Sequence, residues 1–199
     1  MRVIGLTGGI GTGKSTVSRF LSEMGAVVLD ADKIGHEAFT PSSTTYNEVV
    51  ETFGRGILTP EGQIDRRKLG KIVFDSPEKL DQLNRIIHPW LHETLKNLLE
   101  GYRRQGTRVV VIEAALLIEA GWLPLVDKVW VTVASRDSVL KRVAGREGIS
   151  EDDIIARIQA QLPAEERVKY ADTVINTDVS LDELKAKVAG LWREASKRQ

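Results

Sequence analysis

A lysine and a hydroxyl residue closing a glycine-rich run are equipped to hold phosphate. The stretch "GLTGGIGTGKST" (Gly5–Thr16) carries five glycines in twelve residues, and a backbone so poor in Cβ atoms lets a ligand approach closely. Its spacing fits G-x-x-x-x-G-K-[ST] without a gap, from Gly8 through Gly13, Lys14 and Ser15. The dinucleotide pattern G-x-G-x-x-G fails, because a start at Gly9 and Gly11 puts Lys14 where the third glycine belongs. In the phosphate-loop reading, backbone N–H groups of Gly11, Thr12, Gly13, Lys14 and Ser15 cradle phosphates. Lys14 bridges the terminal ones, and the Ser15 hydroxyl reaches Mg²⁺.

Phosphoryl transfer asks for two further kinds of group. A carboxylate must position the acceptor hydroxyl and take its proton, and Asp30 and Asp32 in "DAD" follow the loop most closely. Cations must neutralise the transferred group. Arg142 and Arg146 lie four apart, a spacing that shares one helix face. Glu113, Glu119 and Asn176 are further polar residues at or near strand ends; Glu119 or Asn176 alone is equally compatible with a cap or a surface charge, but strand ends converging on one edge favour a site for the set. His88 and His92 have the i, i+4 spacing of zinc ligands, but Pro89 fills the glutamate slot of H-E-x-x-H, so no zinc site is expected. The tryptophans Trp90, Trp122, Trp130 and Trp192 are expected to pack in a core or the subdomain, with Trp90 or Trp122 flanking a ligand as the alternative.

These residues need a scaffold that brings them to one edge. "RVIGL" reads as a short buried strand before the loop, and "KSTVSRFLSEMG" as a helix ended by Gly25. Such a strand–loop–helix unit aims N–H groups and a positive dipole end at an anion. Further apolar strands are expected at Ala26–Asp30, Arg108–Ala114, Lys128–Ala134 and Asp172–Thr177, with a closing helix "SLDELKAKVAGLWREASKR". Strands alternating with helices predict a mostly parallel sheet covered on both faces, whose ligands bind beyond the carboxyl ends of the strands. Two connections exceed a plain crossover. Residues 31–107 read as an inserted helical subdomain, with a long helix that Pro89 is expected to kink or interrupt. Residues 135–171, rich in arginine and acidic side chains with Gly145 and Gly148 in the middle, suit a lid.

Composition narrows the class. The chain has 199 residues, 42% hydrophobic and 28% charged, with a formal net charge of zero. That balance is ordinary for one globular domain with embellishments and supplies no global field for nucleic acid. No cysteine is present, which excludes disulfides and thiolate chemistry. No apolar run approaches the roughly 18 residues of a membrane span, and "MRVIGL" enters a strand with no apolar signal region before it. A cytoplasmic enzyme is the expectation.

Over nearly its full length the chain resembles the dephospho-CoA kinase family of P-loop kinases. The stretches that carry the likeness are "GLTGGIGTGKST", "VLDADKIGHEAF", "GQIDRRKLGKIVF", "IIHPWL", "ALLIEAG", "LKRVAGREG" and "ADTVINT". The resemblance implies an α/β, three-layer P-loop NTPase fold with a five-stranded parallel sheet ordered 2-3-1-4-5. It gives residues 31–106 to an inserted acceptor (CoA)-binding subdomain and 142–168 to a lid. It also implies transfer of the γ-phosphate of ATP to the ribose 3′-hydroxyl of dephospho-CoA, the last step of coenzyme A synthesis, with Mg²⁺. Lys14, Asp32, Arg142 and Arg146 would then be catalytic, with Asp32 favoured over Asp30 as base. Thr16 and Asn176 would join the loop in holding ATP, and Asp32, Arg66, His88 and Glu113 would hold the acceptor. Small-molecule substrates, no nucleic acid or membrane partner, and a monomer or weak homo-oligomer complete the expectation.

Two departures stand out. Ala115 precedes Leu116-Leu117 where the family often has proline, and Arg167 stands where a lysine is common. Two rival readings remain on the residues alone. Asp32 to Gly35 matches the D-x-x-G of a GTP-dependent switch, but no guanine-reading N-K-x-D follows, and Asp32 comes too soon after the loop. A sister kinase acting on another small acceptor would need the same loop, lid and carboxylate.

Overall fold

The structure is a computed structural model and describes residues 1–144 and 161–197. The chain divides into two compact units, one of residues 1–30 and 98–199, the other of residues 31–97.

The first unit is built on a five-stranded parallel sheet in the order β2-β3-β1-β4-β5. Its strands are β1 (Arg2–Gly8), β2 (Val27–Asp30), β3 (Val109–Glu113), β4 (Lys128–Val133) and β5 (Thr173–Asn176). β3 is buried at every position and β1 at all but its first, as expected of central parallel strands covered on both faces. Register fixes which residues reach the carboxyl edge together. Asp30 pairs with Glu113, Leu6 with Glu113, Gly8 with Thr132, and Val133 with Asn176.

Helix α1 (Lys14–Glu23) follows β1 through the glycine loop. Val17, Ser18, Phe20 and Leu21 are its buried residues, a spacing that keeps one face on the sheet. The C-terminal helix of this unit, Leu181–Ala195, packs on α1. It starts at a capping box, in which the Ser180 hydroxyl accepts from Glu183 N–H and the Glu183 carboxylate accepts from Ser180 N–H. Ile4, Leu6, Leu21, Val109, Trp130, Ile175 and Val188 form the core between these helices and the sheet. At the sheet's far end, Asp172 accepts from Lys128 Nζ at 2.6 Å and from Val129 N–H at 2.8 Å. The lysine hydrogen bond is the main reason its carboxyl sits below the usual carboxylate range.

The second unit is helical. It holds α2 (Ala31–Ile34), a 3₁₀ turn at Gly35–Phe39, α3 (Thr44–Phe53), α4 (Arg66–Phe74) and most of α5 (Pro77–Arg104). Ala38, Val49, Ile57, Leu69, Val73 and Ile87 make its core. Ser43 caps α3, and Asp65 caps α4 by accepting from Arg67 N–H and Lys68 N–H.

Of the kink or interruption expected at Pro89, the interruption does not occur: α5 runs for 28 residues with Pro89 inside it. Proline removes one i→i−4 hydrogen bond, yet Ile87, Leu91, Leu95 and Leu99 are all buried at four-residue spacing across that point. Continuous burial of one face outweighs one lost rung. Among the described residues no helix is long and apolar enough to cross a membrane.

The remaining described helices, both in the first unit, are α6 (Arg136–Ala144) and α7 (Ala164–Val168); the C-terminal helix Leu181–Ala195 is α8.

Candidate active site at the phosphate loop

The loop between β1 and α1 is held from behind by hydroxyl groups. Thr12 Oγ1 lies 2.7 Å from the Gly9 carbonyl and 2.8 Å from Thr132 Oγ1 on β4. Thr132 Oγ1 in turn lies 3.3 Å from the Thr7 carbonyl that it donates to. Only glycine fits at position 8, where a Cβ would stand 2.1 Å from Thr132 Oγ1 and 2.7 Å from the Thr132 carbonyl oxygen. Gly13 takes φ 87°, a left-handed conformation that glycine adopts without strain, and it is the residue from which α1 starts. The first N–H groups of a helix lack intrahelical acceptors and carry the positive end of its dipole. Lys14 Nζ reaches back to the Gly8 carbonyl at 3.0 Å, so the ammonium crosses the loop it belongs to.

Glu113, expected from the resemblance on the acceptor side, sits against α1. Its Oε1 accepts from Ser15 Oγ at 3.1 Å and its Oε2 from Ser18 Oγ at 2.5 Å, with the residue 7% exposed. Ser15 therefore donates its proton backward, which leaves its oxygen lone pairs for a hard cation. Mg²⁺ keeps several waters and takes one or two protein groups plus substrate phosphates, and a lone Ser15 hydroxyl backed by a carboxylate fits that demand. Ser18 gave no signal in the sequence, since its role depends on a partner 95 residues away.

Arg142 is placed beside the loop. Its Nη1 donates to the Gly11 carbonyl at 3.2 Å and to Thr177 Oγ1 at 2.9 Å, and its Nη2 donates to the Thr177 carbonyl at 2.8 Å. Asp178 Oδ1 is 3.7 Å away. The Asp178 carboxyl is held below its usual range chiefly by the backbone N–H of Ser135 and by Ser138, with Arg142 the least of the contributions. Thr177, unremarked in the sequence, ties the same region together by donating to the Thr12 carbonyl at 2.9 Å. Asn176 accepts from Asp178 N–H at 2.8 Å and so shapes the turn after β5. Arg146 and most of the expected lid at 142–168 lie outside the described residues.

Arg142 thus joins the loop to the turn after β5, and its loss should loosen both. Arg142→Ala is expected to lower turnover more than tenfold, measured by steady-state ADP release. An unchanged rate would show that the contacts to Gly11 and Thr177 are dispensable.

Asp32, Arg66 and His88 all belong to the helical unit. Asp32 is exposed in the first turn of α2, Arg66 is the exposed first residue of α4, and His88 is half-buried within α5.

A sequence model of the family described as dephospho-CoA kinase matches residues 2–183. The chain belongs to the dephospho-CoA kinase family. It is 44% identical over 194 residues to a dephospho-CoA kinase of Dehalococcoides mccartyi, with 98% of each chain covered. A Carboxydothermus hydrogenoformans dephospho-CoA kinase is 43% identical over 201 residues, again covering 98% of each. Among solved structures, one from Thermus thermophilus superposes with a TM-score of 0.79 at 31% identity, covering 97% of both chains. A dephospho-CoA kinase from Campylobacter jejuni gives 0.73 at 27% identity over 98% of both. A shikimate kinase of Bacteroides thetaiotaomicron, 17% identical with a TM-score of 0.53, shares the fold. A dephospho-CoA kinase moves phosphate from ATP to dephospho-CoA, which removes the GTP-switch reading.

Proposed function

We propose that this chain phosphorylates the ribose 3′-hydroxyl of dephospho-CoA from ATP, with each step assigned to named residues. The observation that carries the reading is the loop itself. A left-handed Gly13 opens α1, Lys14 folds across the loop, and Ser15 is backed by Glu113.

The N–H groups of Gly11 to Thr16 hold the β- and γ-phosphates of ATP. Lys14 leaves the Gly8 carbonyl for the phosphate oxygens, where charge grows as the γ-phosphoryl group departs. Ser15 would hold Mg²⁺, which would neutralise phosphate charge, with Glu113 fixing the direction of the Ser15 hydroxyl. Asp32 orients the acceptor hydroxyl and takes its proton, while Arg66 and His88 supply polar contacts to the acceptor. Arg142 and Arg146 neutralise charge on the transferred phosphoryl group, and Asn176 shapes the turn beside the nucleotide.

The acceptor is the part that a sister kinase could share least. ADP release should be measured with dephospho-CoA, several nucleoside monophosphates and a sugar acid, using ATP and then GTP. Turnover with dephospho-CoA and ATP is expected to exceed every other pair by at least tenfold. A faster rate with another acceptor would reassign the substrate.

A further inference from the structure

Glu119, Gln161 and Arg167 take no part in the chemistry above, yet they converge on the start of the phosphate loop. Arg167, on α7, is 2% exposed and donates from Nη2 to Glu119 Oε1 at 3.2 Å. The same oxygen accepts from Leu162 N–H at 2.8 Å. Next to Leu162, Gln161 Oε1 accepts from Ile10 N–H at 3.2 Å. A Cβ on Gly9 would lie 3.6 Å from Arg167 Nη1 and 3.7 Å from Gln161 Oε1. The backbone at Gly9 therefore runs along both side chains.

Two further features set these contacts apart from ordinary packing. A cavity of about 570 Å³ opens here, lined by Gly9, Ile10, Thr12, Gln161 and Arg167 among others. On that side the loop lacks close-packed backing. Arg167 Nε and Glu119 Oε2 are also buried with no hydrogen-bond partner among the described residues. A buried ion pair with unfilled hydrogen-bond positions is poor at stabilising a fold. Apolar residues would fill the same volume better, so stability alone does not account for the pair.

We propose that Glu119, Gln161 and Arg167 are positioning residues for the Gly9–Ile10 turn of the phosphate loop. Glu119 fixes Leu162 and Arg167, Leu162 fixes its neighbour Gln161, and Gln161 sets the direction of the Ile10 N–H. A cradle of dipoles lowers a barrier only when it is oriented before the charge develops. Loosening this turn should slow transfer while Gly11 to Ser15 still bind nucleotide. The inference rests on the kinase reading for its rate effect.

The test uses the full chain with Gln161→Ala, Glu119→Gln and the two together. Gln161→Ala leaves the buried pair intact. It should lower kcat about tenfold, some 1.4 kcal/mol in the barrier, with KM for ATP within about threefold. Amide hydrogen exchange at Ile10, measured without substrates, should quicken in the same variant. Glu119→Gln should show the same split between kcat and KM, and the double variant should fall little below the worse single one, as expected of residues acting through one contact. A kcat within twofold of wild type for Gln161→Ala, or unchanged exchange at Ile10, would overturn the proposal. Arg167→Lys keeps the charge and loses the guanidinium, including the Nη1 that lies beside Gly9. If it lowers only the melting temperature, the pair serves the fold alone and is removed from the proposal. Absence of dephospho-CoA phosphorylation by the wild type would sink the kinase reading, while exchange at Ile10 would still decide the loop contact.

Discussion

Lys14→Ala is expected to reduce turnover by roughly 10²–10³, the range found when one preorganised transition-state donor is removed, while nucleotide affinity falls much less. The ammonium lies across its own loop, 3.0 Å from the Gly8 carbonyl. Its charge is needed most when the γ-phosphoryl group is between donor and acceptor, because negative charge then grows on the phosphate oxygens that the ammonium faces. Ground-state ATP keeps the N–H groups of the loop and the dipole of α1. A group that acts more in the transition state than in the ground state shows itself as lost kcat with little change in binding. Steady-state kinetics with calorimetric ADP binding would measure both halves. Turnover within a few-fold of wild type would mean that this loop does not do the chemistry assigned to it.

Asp32→Asn should lower turnover by roughly 10² or more, the usual cost of losing a general base, with a much smaller change in dephospho-CoA affinity. The amide keeps the shape and can still hydrogen-bond a hydroxyl, but it cannot take the proton. To take that proton Asp32 must act as the carboxylate. Asp30 is the control. It closes β2 in register with Glu113, whereas Asp32 is exposed in the first turn of α2. Asp30→Asn should retain turnover within about tenfold. If Asp30→Asn is the inactive variant and Asp32→Asn the active one, the base is Asp30.

The local parts of the site were legible because their physics is local. Gly8, Gly13, Lys14 and Ser15 follow one another within eight residues, so spacing alone states which backbone turns and which N–H groups face an anion. Five apolar strands separated by helical patterns likewise announce a parallel sheet, since strands buried on both faces need no polar alternation. Pro89 suggested an interruption of α5 for the same reason. Its cost to a helix is a local rule, and the burial of Ile87, Leu91 and Leu95 that overrides it is a tertiary fact.

By itself, then, the sequence determined the phosphate loop, the strand–helix alternation and the family, all of which are written in residues close together or in their order along the chain. Tertiary structure alone decided the partners that orient the loop. Ser18 and Ser15 meet Glu113 from 95 and 98 residues away, Thr12 meets Thr132 across 120, and Arg142 meets Gly11 across 131. No spacing rule links such pairs. They exist because parallel strands in the order 2-3-1-4-5 deliver their carboxyl ends to one edge, and a hydrogen bond forms only between groups that the packed sheet has already brought within about 3 Å.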